Sequence, residues 1–336
     1  MSVEARLAEI RPAAMKTCAD MGLATETRLE DLLKAQAEAP RFDEATASAR
    51  VSPADLARLY EMRARHLDWT QETGYLGFFA ENPGIRYAYR RRLEVQTSLL
   101  AAVPGGSLLE VGCGAGILAL LAADRFSSIV ATDISPTAVD FARRFAAAIG
   151  VRNVRFVVAD AEQLPFRDGA FSAVAIGEVI GHVASPARAA DELARITHAG
   201  GALLLSTPCA LSPTRALLRL AAIFGLGPGL PAEQHVDRRV AGVLGSAKES
   251  VRPEALLRLK RHYRFREIVA LMGATGYRLR RSLGATLDLP PPVLIYRYLP
   301  ARALGAVRTV ESVLNTLGLF GRFFSISTIF RFEKPS

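Results

Sequence analysis

Only three cysteines occur in 336 residues, Cys18, Cys113 and Cys209, and no two form a C-x-x-C pair. An odd, scattered set excludes a disulfide framework and a cysteine-based zinc site, and it suits a reducing compartment. No metal site is expected. No run of eighteen apolar residues exists, so no spanning helix is expected either. The first residues mix Glu4, Arg6, Glu9 and Arg11 with small apolar residues and lack the basic-then-apolar order of a secretory signal. A cytoplasmic location follows as the expectation. Internal repeats and low-complexity tracts are also missing. Charged residues make up only 22% of the chain against 50% hydrophobic, so a sizeable core can form and global disorder is excluded.

Acidic residues are scarce in one region. Residues 209–336 hold 20 Lys/Arg against 8 Asp/Glu, whereas the remainder holds 22 against 25. The net charge of +9 therefore comes wholly from the C-terminal part. Such asymmetry suits an anionic partner, or else a solvated basic face.

What is present divides the chain into two parts. Residues 1–84 read as a helical N-terminal extension. Ser52-Pro53-Ala54-Asp55 is a helix start, after which Leu56, Leu59 and Met62 share a face. Trp69, Tyr75, Phe78 and Phe79 with Gly and Pro predict an aromatic loop over 67–84. A helix over 85–102 leads into the main domain, 85–336. From Leu108 short apolar runs alternate with helical periodicity. Strands are predicted at 107–111, 128–132, 154–158, 172–176, 201–206, 277–282 and 325–332, and helices at 116–124, 136–148, 186–197 and 264–273. This alternation predicts an α/β fold, a mostly parallel seven-stranded sheet with helices on both faces. Insertions at about 209–263 and 285–322 would cover it.

The first strand runs into Glu110-Val111-Gly112-Cys113-Gly114-Ala115-Gly116. Glycines let a ligand approach the backbone, and the helix beyond presents free N–H groups. The third glycine comes one residue earlier than in a dinucleotide fingerprint. Glu110 sits where a carboxylate suits an ammonium group better than a pyrophosphate. Asp133 ends the second strand, where an acid can accept both ribose hydroxyls. Asp160-Ala161 follows the third, where a carboxylate and an N–H could pair with an adenine edge. Asp160 opens the stretch Asp160-Ala161-Glu162-Gln163-Leu164-Pro165-Phe166. Glu178-Val179-Ile180-Gly181-His182-Val183 follows the fourth strand, and Gly200-Gly201 precedes the fifth.

These ordered motifs over 107–207 resemble the class I S-adenosylmethionine-dependent methyltransferases, in particular the small-molecule group that includes ubiquinone and menaquinone biosynthesis enzymes. The resemblance implies a Rossmann-like fold and S-adenosyl-L-methionine as cofactor. It implies that Glu110 holds the methionine amino group and that Gly112, Cys113, Gly114 and Gly116 form the loop under the methionine and ribose. Asp133 would bind the ribose, Ile134 would pack on the adenine, and Asp160 and Ala161 would bind its edge. Gly177 and Glu178 would line the pocket near the sulfonium.

The acceptor is less legible. A hydroxyl acceptor benefits from a general base, and His182, His235, His262 and Tyr263 are the candidates, with His182 and His262 taken as catalytic. Gly177-Glu178-Val179-Ile180 is not the N/D-P-P-Y/F segment of DNA amino methyltransferases. Cys209 lacks the Pro-Cys partner of RNA cytosine C5 enzymes and reads as a small apolar residue. Apolar segments with interleaved arginines, such as 215–224 and 294–299, suit a lid or an interfacial helix. The expected partner is a small hydrophobic acceptor (lipid, quinone or phenolic natural product), with an anionic membrane surface as a further candidate. The alternatives are an RNA methyltransferase, drawn from the cluster Arg258, Lys260, Arg261, Arg264 and Arg266, and a non-catalytic cofactor-binding scaffold. An aromatic N-terminal loop closing over the cofactor, with Arg86 meeting the methionine carboxylate, completes the expectation.

Overall fold

A computed structural model describes residues 2–23, 53–66, 69, 75–211, 213, 261–288, 296, 298–318 and 320–336. Helix α1 (Val3–Asp20) is capped by the Ser2 side chain. Helices α2 (Pro53–His66) and α3 (Pro83–Leu100) follow. The main domain then runs β1 (Ser107–Val111), α4 (Ile117–Ala122), β2 (Ser128–Asp133), α5 (Pro136–Ala148), β3 (Val154–Val158), β4 (Phe171–Gly177), α6 (Pro186–Ile196) and β5 (Thr197–Pro208). It ends with α7 (Phe265–Ala274), β6 (Arg278–Leu287), α8 (Ala301–Thr316) and β7 (Ser325–Glu333).

Helix starts follow sequence chemistry. Ser135 and Ser185 cap α5 and α6, each followed by proline at the first position, and Asn82 caps α3 in the same way. The strands assemble in the order β3-β2-β1-β4-β5-β7-β6. β1 pairs in parallel with both β2 and β4, β7 is antiparallel to β5, and β6 is antiparallel to β7. The order reverses beside β1, so the crevice beyond β1 and β4 is where such sheets take ligands.

Strand side chains alternate between two cores. Leu108, Ile129, Ala131, Ala173 and Ala175 face α1, α3, α4 and α5. Leu109, Val111, Val130, Val174 and Ile176 face α6 and α7. Both faces are thus buried, as a parallel sheet requires. The N-terminal extension joins the first core through Leu7, Ile10, Trp69 and Phe79.

Several expected boundaries move. β5 begins at Thr197 rather than 201, because Thr197 pairs with Phe171 across an irregularity in the ladder. β6 extends to Leu287, paired with Ser325, so the segment between the last two strands starts later than the expected 285. The expected aromatic loop holds a 3-10 turn at Gly77–Phe79, and Trp69, Phe78 and Phe79 are buried. Cys209, just after β5, bridges Tyr263 in parallel. The expected helix at 215–224, His235, Arg258 and Lys260 lie outside the described residues, as do Ser52, Leu294 and Ile295. The three cysteines are buried and form no disulfide. Among the described residues no cluster of metal-ligating side chains occurs and no helix is long and apolar enough to cross a membrane.

Candidate functional site

A cavity of about 290 Å³ lies beyond the C-terminal ends of β1, β2 and β4. That volume is at the lower end of small-molecule sites. The glycine loop forms its floor. Gly112 and Gly114 adopt φ of +71° and +51°, the left-handed region that disfavours other residues. A Cβ on Gly112 would lie 2.1 Å from Val179 Cγ2, and one on Gly114 would lie 2.9 Å from the Tyr75 ring. The loop is folded over by Asp133, whose two oxygens accept the N–H groups of Gly114 at 2.9 Å and Ser135 at 3.0 Å.

Ten of the eleven residues expected around the cofactor line this cavity: Glu110, Gly112, Cys113, Gly114, Asp133, Ile134, Asp160, Ala161, Gly177 and Glu178. Gly116 does not. Its φ of +74° opens α4, and a Cβ there would press on Phe156 and Ala142, so its smallness serves helix packing. His182 lines the cavity, whereas His262 and Tyr263 do not, being held at the Cys209 bridge. Arg86 is also elsewhere: its guanidinium donates to the carbonyls of Ala80 and Glu81. The cations in the wall are instead Arg63 of α2 and Arg92 of α3.

The wall is acidic, with five carboxylates against two guanidinium groups. Glu110 is fully enclosed. Burial and, less, the nearby Asp133 carboxylate push its carboxyl up against the pull of the Ala119 N–H, to about 8. The same burial and the same two acids hold the Cys113 thiol well above its ordinary value, so it stays neutral and is no nucleophile. Glu178 occupies φ of +61°, which is uncommon for a residue with a Cβ. Ser327 donates to its Oε1 at 2.9 Å, and Arg92 lies 3.8 Å from the same oxygen. Strain of this kind concentrates at binding sites.

Tyr75 and Phe78 of the expected aromatic loop line the cavity, and so do Tyr60, Arg63, Arg92 and Gln96, which were not singled out from the sequence. Leu56, Tyr60 and Arg63 fall four and three residues apart, a helical stripe that the sequence does contain. It was hidden because the neighbouring face of Leu56, Leu59 and Met62 is the more apolar one, and those three are buried.

The residues present fit a cationic, ribose-bearing ligand. A buried carboxyl poised to ionise, a second acid on the loop and a floor without Cβ atoms provide for an ammonium, a sulfonium and a close-lying chain. Comparisons with known proteins find similar methyltransferases. Residues 109–205 match the family model described as a methyltransferase domain. A demethylmenaquinone methyltransferase from Clavibacter sepedonicus is 36% identical over 115 residues, 33% of this chain and 46% of that one. A ubiquinone biosynthesis O-methyltransferase from Paracidovorax citrulli is 29% identical over 166 residues, 48% of this chain and 64% of that one. The chain thus spans about half the length of these curated relatives. A solved Thermotoga maritima S-adenosylmethionine-dependent methyltransferase, described as a possible histamine N-methyltransferase, is 17% identical. It covers 77% of this chain and 94% of its own, with a TM-score of 0.49. Family match and sequence motifs agree over one stretch: residues 109–205 are similar to the methyltransferase domain.

Proposed function

We propose that the protein transfers the methyl group of S-adenosylmethionine to a small, hydrophobic acceptor. The observation that carries the reading is the cavity at the sheet switch point, where ten expected cofactor residues converge under an apolar and aromatic roof from α2 and α3. The cofactor supplies an electrophilic methyl on a sulfonium. The chain's residues bind, orient and exclude water.

In this reading Glu110 is the ammonium partner and Asp133 the ribose partner, while Asp160 and Ala161 meet the adenine edge beside Ile134. Gly177 and Glu178 flank the sulfonium. Arg92, rather than Arg86, pairs with the methionine carboxylate, since it is the α3 cation that lines the cavity. Leu56, Phe78, Tyr89, Leu93 and Val183 give the apolar wall for the acceptor. The quinone-related names of the curated relatives support a hydrophobic acceptor of that general kind.

Contact with an anionic membrane surface belongs to the same proposal. Helix α8 exposes Val310 and Val313, and Leu317, Phe323 and Phe324 are exposed beyond it. Arg302 and Arg308 lie on the same helix. Flotation with anionic vesicles at low salt tests this part, and absence of binding there would remove it. The acceptor is tested by screening quinones, phenols and lipids with labelled methyl donor. Transfer to a polar acceptor alone would contradict the reading.

A further inference from the structure

Helix α3 lays Tyr89, Arg92, Leu93 and Gln96 along the cavity, a stripe at helical spacing. Tyr89 and Leu93 belong to the apolar wall and Arg92 to the cofactor, which leaves Gln96 without a role. Its side chain is buried, with 4% exposure, in a part of the wall made by apolar and aromatic groups. A primary amide in such a place is costly unless its polar atoms are paired. Nε2 donates to Ser206 Oγ at 3.3 Å, the one hydrogen bond that the Gln96 side chain makes. Ser206 is buried on β5 and is the register partner of Gly177 on β4. With Glu110, these two positions share the strand parity of Leu108, Ala175 and Leu204, so all three face the α3 side of the sheet. A Cβ on Gly177 would lie 3.1 Å from Gln96 Nε2 and 3.6 Å from Ser206 Oγ. The amide therefore stands directly over Gly177, where the proposed function places the sulfonium.

We propose that Gln96 selects the methyl acceptor, its side-chain carbonyl accepting a hydrogen bond from an O–H or N–H group beside the atom that is methylated. The inference rests on the methyltransferase reading of this cavity. It narrows that reading to a hydrophobic molecule with a hydrogen-bond donor at its reacting end. With Nε2 directed to Ser206, Oε1 is the end of the amide left for the cavity. Ser206 sets the direction of the amide and is a positioning residue. An acceptor without a donor would close over Oε1 and leave it buried and unpaired, and that penalty rejects it. Leu56, Phe78 and Leu93 take the remainder of the molecule. An apolar wall of this kind discriminates poorly between a hydroxyl and a methyl group, so the discrimination falls to Gln96.

The test uses full-length protein saturated with S-adenosylhomocysteine and probes that share one ring framework, 2-naphthol, 2-methylnaphthalene and 2-methoxynaphthalene, titrated by calorimetry. The quantity read is the affinity for 2-naphthol divided by that for 2-methylnaphthalene, and comparing it between variants cancels the different hydration of the probes. Gln96→Met keeps the length and removes the amide, and the ratio should fall about tenfold. Gln96→Glu keeps an accepting oxygen and should preserve the ratio. Ser206→Ala frees the amide to turn and should lower the ratio by a smaller factor, a result that can be read even where Gln96→Met fails to fold. 2-Methoxynaphthalene accepts but does not donate and should bind no better than 2-methylnaphthalene. An unchanged ratio in Gln96→Met or in Ser206→Ala, an equal collapse in Gln96→Glu, or no binding of 2-naphthol to the wild type would overturn the proposal. Binding of the methoxy probe as tight as that of 2-naphthol would overturn the donor requirement. Failure of the wild type to bind S-adenosylhomocysteine would instead bring down the methyltransferase reading itself, so the two failures are separable.

Discussion

The Glu61 carboxylate accepts the Ser135 hydroxyl at 2.6 Å, so a side chain from the N-terminal extension sits on the N-terminus of α5. The same carboxylate accepts the N–H and the hydroxyl of Thr137 at 3.1 and 2.7 Å. Ser135 is two residues from Asp133, and α2 carries Leu56, Tyr60 and Arg63 into the cavity wall. The extension is therefore part of the site.

This clasp has a stability consequence. Burial alone would raise the Glu61 carboxyl, yet hydrogen bonds from Ser135, Thr137 and Arg65 outweigh it and hold the group below its ordinary value of 4.5. Its stabilisation is therefore present above pH 4.5 and is lost as pH falls through the lower folded value. Glu61→Ala should cost about 2 kcal/mol at neutral pH, as expected for hydrogen bonds to a charged group. Urea unfolding at pH 7 and pH 3 reads both effects. An equal cost at the two pH values would contradict the assignment.

Glu110 predicts a proton balance. Its carboxyl is raised to about 8 by burial and by Asp133, so it is mostly protonated at pH 7 in the unliganded protein. A ligand ammonium favours the carboxylate, so binding S-adenosylmethionine should release close to one proton. Calorimetry in buffers of different ionisation enthalpy measures this directly. Glu110→Gln should remove the release. A wild type that takes up no part in proton exchange would speak against Glu110 as the ammonium partner. The sign for stability is opposite to that of Glu61: a raised folded value gives stabilisation present below 4.5 and lost as pH rises through about 8.

Gly112 carries two separate constraints, the +71° φ and the 2.1 Å approach to Val179. Gly112→Ala should weaken S-adenosylhomocysteine binding by at least about tenfold, since either constraint alone costs about 1 kcal/mol or more. Adding Val179→Ala relieves the contact but not the backbone strain, so the double variant should recover only part of the binding. Full recovery would show that the φ is immaterial.

Glu178 is strained at φ of +61°, and glycine would relieve that at the expense of the Ser327 hydrogen bond. The two effects are each about 1 kcal/mol and opposed. Glu178→Gly should therefore leave the thermal midpoint nearly unchanged while weakening cofactor binding. A large drop in the midpoint with intact binding would reassign Glu178 to a purely structural role.

The sheet and the loop were legible because their signals are local. The strand runs, the glycine spacing and the acids at the strand ends each sit within a few residues of the chemistry they serve. The roof was legible only in its aromatic loop, whose Tyr75 and Phe78 line the cavity. Tyr60 meets His182 across 122 positions of sequence, and nothing local in α2 marks that partner. Arg86 was expected at the methionine carboxylate, yet local carbonyls of Ala80 and Glu81 take its guanidinium. Arg92, six residues on, is turned to the cavity by the packing of α3 against the sheet. Gly116 matched the motif by spacing, but its place at the start of α4 answers to Phe156 and Ala142.

The central claim is that this cavity binds S-adenosylmethionine through the Asp133-shaped loop. Calorimetric titration of the purified protein with S-adenosylhomocysteine, beside Asp133→Ala, tests it most directly. The account predicts one site with micromolar affinity in the wild type and a loss on the order of 100-fold in the variant, as expected when charged hydrogen bonds are removed. Equal affinity in both proteins, or none in a folded wild type, would contradict it.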